Sequence, residues 1–84
     1  MLYEFIPRGV CSRRILIDLD GNIIRSVRFE GGCSGNTQGI ARLIVGMDVD
    51  EAISRLSGIR CGMKPTSCPD QLSVALRQAK EYQG

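Results

Sequence analysis

"RRILIDLDGNIIRSVRF", residues 13–29, decides the fold. Its first half alternates: Ile15, Ile17 and Leu19 share one face while Arg14, Leu16 and Asp18 share the other, the period-two pattern of a half-buried strand. Asp20-Gly21-Asn22 then offers the positive φ angles that a tight hairpin turn needs. The second half returns as the partner strand, with Val27 and Phe29 facing inward and Arg28 outward. Upstream, "LYEFI" at 2–6 is short and β-prone, so the first third reads as an antiparallel meander of two or three strands.

Downstream the pattern breaks. "EGGCSGNTQG", residues 30–39, holds four glycines, which interrupt any regular element and let the backbone turn sharply. From about Thr37 the period becomes helical, with Ile40, Leu43 and Ile44 as one stripe and Gly46 closing it. Asp48, three residues before Glu51, forms an acidic variant of the capping box, after which Val49, Ala52, Ile53 and Leu56 face inward and Gly58 stops the helix. "IRCGMKPT" is a connector. A last helix is expected from about Pro69 to Tyr82, burying Leu72, Ala75, Leu76 and Ala79. Strands followed by helices predict an α+β fold: a small antiparallel sheet of two or three strands with three helices packed on one face.

Eighty-four residues imply one domain, spanning 1–84. A chain this short buries only about 60–65% of the surface its unfolded form exposes, so its core is thin. Tryptophan is absent and only two tyrosines and two phenylalanines are present. Domains with thin cores often carry a staple, either disulfides or a structural metal. The N-terminus has no charged leader followed by an apolar stretch, and no run is long enough to span a bilayer. A cytoplasmic protein with no membrane partner is therefore expected, in a compartment where cysteines serve metal or redox chemistry before disulfides. Nine arginines and two lysines give a net charge of +2. They are spread along the chain with too few aromatic residues for a stacking platform, which disfavours nucleic-acid binding.

The four cysteines, Cys11, Cys33, Cys61 and Cys68, are separated by 21, 27 and 6 residues. None forms a Cys-x-x-Cys pair, so spacing alone is a weak metal signal. Position strengthens it. Each thiol falls at the edge of an expected element and none in an apolar stripe, where a core cysteine belongs. Cys68 stands at a helix start, either as the cap itself or beside a Ser67 cap that pairs with Asp70. There the helix dipole favours thiolate, against a small repulsion from Asp70. With no histidine in the chain, a protein-ligated site is built from sulfur, alone or with one carboxylate, which suits zinc or iron–sulfur. Four tolerated, unliganded thiols are the competing reading, and disulfides come third. The missing histidine also removes every Ser–His or Cys–His pair, so no catalytic residue is assigned. "GGCSGNTQG" lacks the Gly-Lys-Ser/Thr ending of a phosphate loop, which leaves only the weak anion affinity of a bare helix N-terminus.

Taken together, "GGCSGN" at 31–36, Leu56-x-Gly58 followed by Cys61, and "TSCPDQL" at 66–72 resemble the TSCPD domain family, named for the five residues that stand here as Thr66 to Asp70. The resemblance covers roughly Tyr3 to Ala79. It implies a domain found as a short free-standing protein and as the C-terminal appendage of adenosylcobalamin-dependent ribonucleotide reductases. Short members are accordingly labelled ribonucleoside-diphosphate reductases. It also implies that Cys11, Cys33, Cys61 and Cys68 are metal ligands, for zinc. A more distant similarity is to the NifU- and IscU-like iron–sulfur scaffolds, matched at Cys11, Gly32-Cys33, Cys68 and "GMDVDEA". Scaffolds follow their first cysteine with Gly-Asp, whereas this chain has Ser12-Arg13, and Cys61 is available to close the site. A closed four-sulfur site is structural.

Three functions are weighed on this basis. The first is a zinc-bound accessory module for ribonucleotide reduction and so for deoxyribonucleotide and DNA synthesis, with a ribonucleotide reductase as partner. An 84-residue chain has no room for the radical cofactor cavity and nucleotide pocket of the reductase itself. The second is an iron–sulfur cluster carrier, and the third a disulfide shuttle through Cys61 and Cys68. The sequence leaves the oligomeric state open.

Overall fold

The computed structural model describes residues 1–10, 12–31, 34–60 and 62–83. Three strands, β1 (Leu2–Phe5), β2 (Ser12–Asp20) and β3 (Ile23–Gly31), precede three helices, α1 (Ser34–Ile44), α2 (Val49–Leu56) and α3 (Cys68–Gln83). The sheet is antiparallel throughout, in the order β1-β2-β3. Ile15, Ile17 and Leu19 lie fully inside, as their alternation demands, and join Ile44, Val49, Ala52, Leu72, Ala75, Leu76 and Ala79 in one apolar cluster. The fold is thus the expected α+β arrangement. The opposite sheet face is open and charged, with Arg14 bridging Glu4 on β1 and Glu30 on β3.

Two irregularities shape this sheet. Asp18 pairs with Ser26 but Leu19 pairs with Ile24, which leaves Arg25 as an extra residue. That bulge brings Ile24 onto the same face as Val27, and Ile24 is fully buried while Val27 and Phe29 are half-buried. Strict alternation from Val27 would have placed Ile23 inside instead. At the other end Ser12 pairs with Gly31 and Arg14 with Glu30, so Arg13 is the extra residue and Ser12 turns inward. Gly31 has φ +80°, and a Cβ there would come within 3.0–3.2 Å of the Arg13 side chain, so glycine is required by backbone and space together. In the hairpin turn only Gly21 takes a positive φ, +58°.

The helices depart from expectation in two places. α1 begins at Ser34, three residues before the expected Thr37, inside the glycine-rich segment. Gly35 and Gly39 each cost about 1 kcal/mol of helix propensity, which packing of Thr37, Ala41 and Ile44 against β3 offsets. Leu43, expected inside, is 77% exposed. Thr37, Ala41 and Ile44 follow the i, i+4, i+7 rule, and Leu43 is rotated about 100° from Ile44 and further still from Ala41. Gly46 closes α1 with φ +87°. Asp48 caps α2 by accepting from the N–H groups of Asp50 (3.0 Å) and Glu51 (3.2 Å). The reciprocal half of the box is absent, since Glu51 instead pairs with Arg55 at 2.8 Å. α2 packs chiefly on α3 and is tied to the hairpin turn, Val49 N–H donating to Asn22 O at 2.8 Å. Among the described residues no helix is long and apolar enough to cross a membrane.

Candidate metal centre

Of the two caps the sequence offers for α3, Ser67 and not Cys68 fills the place: its hydroxyl accepts from Asp70 N–H at 3.2 Å, and its carbonyl accepts from Gln71 N–H at 2.8 Å. Cys68 is consequently the first helical residue and Pro69 the second, where a missing N–H still leaves no gap in the helix ladder.

The residues around Cys68 are all occupied in fastening neighbouring loops. Ser67 Oγ donates to Ile59 O at 2.6 Å. Asp70 accepts Gly58 N–H on one oxygen (2.7 Å) and the Thr66 hydroxyl on the other (2.6 Å). Thr66 Oγ1 in turn accepts from Gln71 Nε2 at 3.1 Å, and Gln71 Oε1 accepts Arg8 N–H at 3.0 Å. "TSCPDQ" is therefore a clasp: Ser67 and Asp70 hold the connector, while Gln71, braced by Thr66, holds the loop after β1. The Thr66 hydroxyl and the Gly58 amide, helped by the charges of Arg60 and Arg77, keep the Asp70 carboxyl below its ordinary range.

Within this clasp the sulfur of Cys68 is half-buried and its polar neighbour is Ser12 Oγ, 3.3 Å away. Ser12 reaches it because of the Arg13 bulge, which turns that hydroxyl out of the strand alternation and inward. Ser12 is also the cross-strand partner of Gly31. The start of β2, the end of β3, the connector at Gly58 and Ile59, and the first turn of α3 thus meet at one end of the molecule. Cys68 is where the sequence put it, at a helix start. Cys11, Cys33 and Cys61 lie outside the described residues. Among the described residues no three cysteine, histidine or carboxylate side chains gather as a metal-binding group.

Sequence reasoning found the Ser67–Asp70 cap but missed Thr66, Gln71 and Ser12. Gln71 acts on Arg8, 63 residues away, with Thr66 bracing it from within the motif, and Ser12 depends on a bulge. No hydrophobic period announces either.

Comparison with curated proteins gave no match, and comparison with solved structures gave none. The TSCPD domain family matches residues 1–80, nearly the whole chain and every part of the clasp. On that match the chain belongs to the TSCPD domain family.

Proposed function

We propose that the chain is a zinc-binding accessory domain serving ribonucleotide reduction, with Cys11, Cys33, Cys61 and Cys68 as the ligands. The observation that carries the reading is the assembly at Cys68. Described residues that neighbour the other three cysteines in sequence, Ser12, Gly31 and Ile59, belong to segments joined there: Ser12 touches the sulfur, Gly31 pairs with Ser12, and Ile59 is bonded to Ser67. A hydroxyl against a thiol sulfur is the kind of outer contact that orients a sulfur ligand. The donor chemistry agrees, because a chain without histidine offers zinc sulfur or carboxylate, and the Asp70 carboxylate is engaged elsewhere. Bound zinc would supply no reaction step; it would add its binding energy to a thin core. The link to ribonucleotide reduction rests on the family, which is associated with ribonucleotide reductases.

Elemental analysis of protein purified without chelator or nickel tests the reading. One zinc per chain is expected, with all thiols unreactive until the metal is stripped, and with metal lost in Cys68→Ser. Folded, metal-free protein whose thiols titrate freely would overturn it. A brown protein that takes up iron and sulfide would replace it with the cluster carrier.

A further inference from the structure

Ser12 faces the wrong way for its strand. Strict alternation along β2 would set it with Arg14, Leu16 and Asp18 on the open side of the sheet. The bulge at Arg13 turns it inward instead, where it is only 4% exposed. Its cross-strand partner Gly31 takes φ +80° beside the same bulge, a backbone that a side chain there would strain. The result of these two local irregularities is a buried hydroxyl 3.3 Å from the sulfur of Cys68. The other hydroxyls of the clasp have their protons committed, Thr66 to Asp70 and Ser67 to Ile59 O. Among the described residues, the Ser12 hydroxyl has the sulfur as its one hydrogen-bond partner.

The direction of that bond depends on the state of the sulfur. A thiol and a hydroxyl each donate and accept, so either atom serves as donor while Cys68 keeps its proton. A metal-bound sulfur has lost its proton and only accepts. The hydroxyl must then donate, and a hydrogen bond to a charged acceptor is roughly twice as strong as a neutral one. The contact therefore favours the ligating form of Cys68 over the free thiol.

We propose that Ser12 is a positioning residue for Cys68: it donates its hydroxyl proton to the metal-bound thiolate, which raises zinc affinity and draws charge from the sulfur. The inference rests on the zinc reading and adds to it a side chain that acts on the ion through its ligand. A serine that merely fastened β2 to α3 would contribute equally with and without metal. A donor to the thiolate acts chiefly when metal is bound, and it changes the electronic state of the sulfur.

The test compares the full wild-type chain with Ser12→Ala in three measurements. They are zinc affinity by competition with a chromophoric chelator, the thiolate-to-metal charge-transfer band after cobalt substitution, and the urea midpoint of the metal-free protein. Ser12→Ala binds zinc about tenfold to a hundredfold more weakly. Its cobalt band moves to longer wavelength, because the sulfur keeps more of its charge, while its metal-free midpoint stays near the wild-type value. An unmoved band would overturn the proposal whatever the affinity, since the serine would then act by packing alone. Unchanged zinc affinity would overturn it too, as would a metal-free variant destabilised enough to account for the whole loss of affinity. Each of these results leaves the zinc reading intact. Wild-type protein that binds neither zinc nor cobalt would sink both, because Ser12 would have no ligating thiolate to serve.

Discussion

Both carboxylate oxygens of Asp70 accept hydrogen bonds, one from the Gly58 amide and one from the Thr66 hydroxyl. These bonds favour the ionised form, so the folded pKa lies below the unfolded one. The sign follows directly. The stabilisation is fully present above the unfolded value, about 3.9, and is lost as pH falls through the folded pKa. Asp70→Asn keeps one carbonyl acceptor and loses the second along with the charge, at an expected cost of about 1–2 kcal/mol near neutral pH. Urea midpoints compared near neutral pH and at about pH 3 should show the gap between wild type and variant shrinking in acid. A gap that stays constant would mean that the carboxylate contributes shape and not charge. The local half of this arrangement was legible, since Ser67 and Asp70 form a three-residue cap signal. The Gly58 contact was not, because it joins residues 12 apart in sequence with no periodicity between them.

At the scale of elements, the sheet was readable on β2 and, on β3, from Val27 to Phe29 but not before the bulge. Leu19 and Ile17 keep the period of two, and Arg25 breaks it on the facing strand. Ile23 and Ile24 are chemically identical neighbours, so composition cannot choose between them; only the bulge does. Ile24→Ala is therefore expected to cost about 2–5 kcal/mol as a cavity in the core. Ile23→Ala, at a side chain 44% exposed, should lie within about 0.5–1 kcal/mol of wild type. Denaturant midpoints of the two variants decide the matter, and equal losses would mean that β3 slides between two registers. The same physics explains α1. Glycines in "SGNTQG" read as an interruption because propensity is local, yet Thr37, Ala41 and Ile44 find β3 beside them and extend the helix back to Ser34. Tertiary packing outweighed a local cost that the sequence states openly.

The whole molecule, 35 Å long and 21 Å across, has α3 as its spine, and its two ends are built differently. At the hairpin-turn end Gln83 Nε2 donates to Gly21 O at 2.6 Å, and Ile24 N–H donates to Met47 O at 3.0 Å. Large apolar side chains, Leu19, Ile24 and Val49, are fully buried there. Beside Cys68 the interior is different: Ser12, whose hydroxyl lies against the sulfur, and Ser67, the cap of α3, are buried hydroxyls. A hydrogen-bonded hydroxyl contributes little transfer free energy, so this end depends on the clasp and, under the zinc reading, on the ion. Native-state hydrogen exchange before and after stripping with a chelator separates the two ends. The amides of Arg8 and Gly58, which donate to Gln71 and Asp70, should exchange at least about tenfold faster once the metal is gone. The amides of Ile24, Gly46 and Val49, bonded across the turn end, should change by much less. A uniform acceleration would mean that the ion holds up the entire core. No change at Arg8 and Gly58 would mean that the hydrogen-bonded clasp suffices without it, and that these residues evolved around the sulfur for some purpose other than a staple.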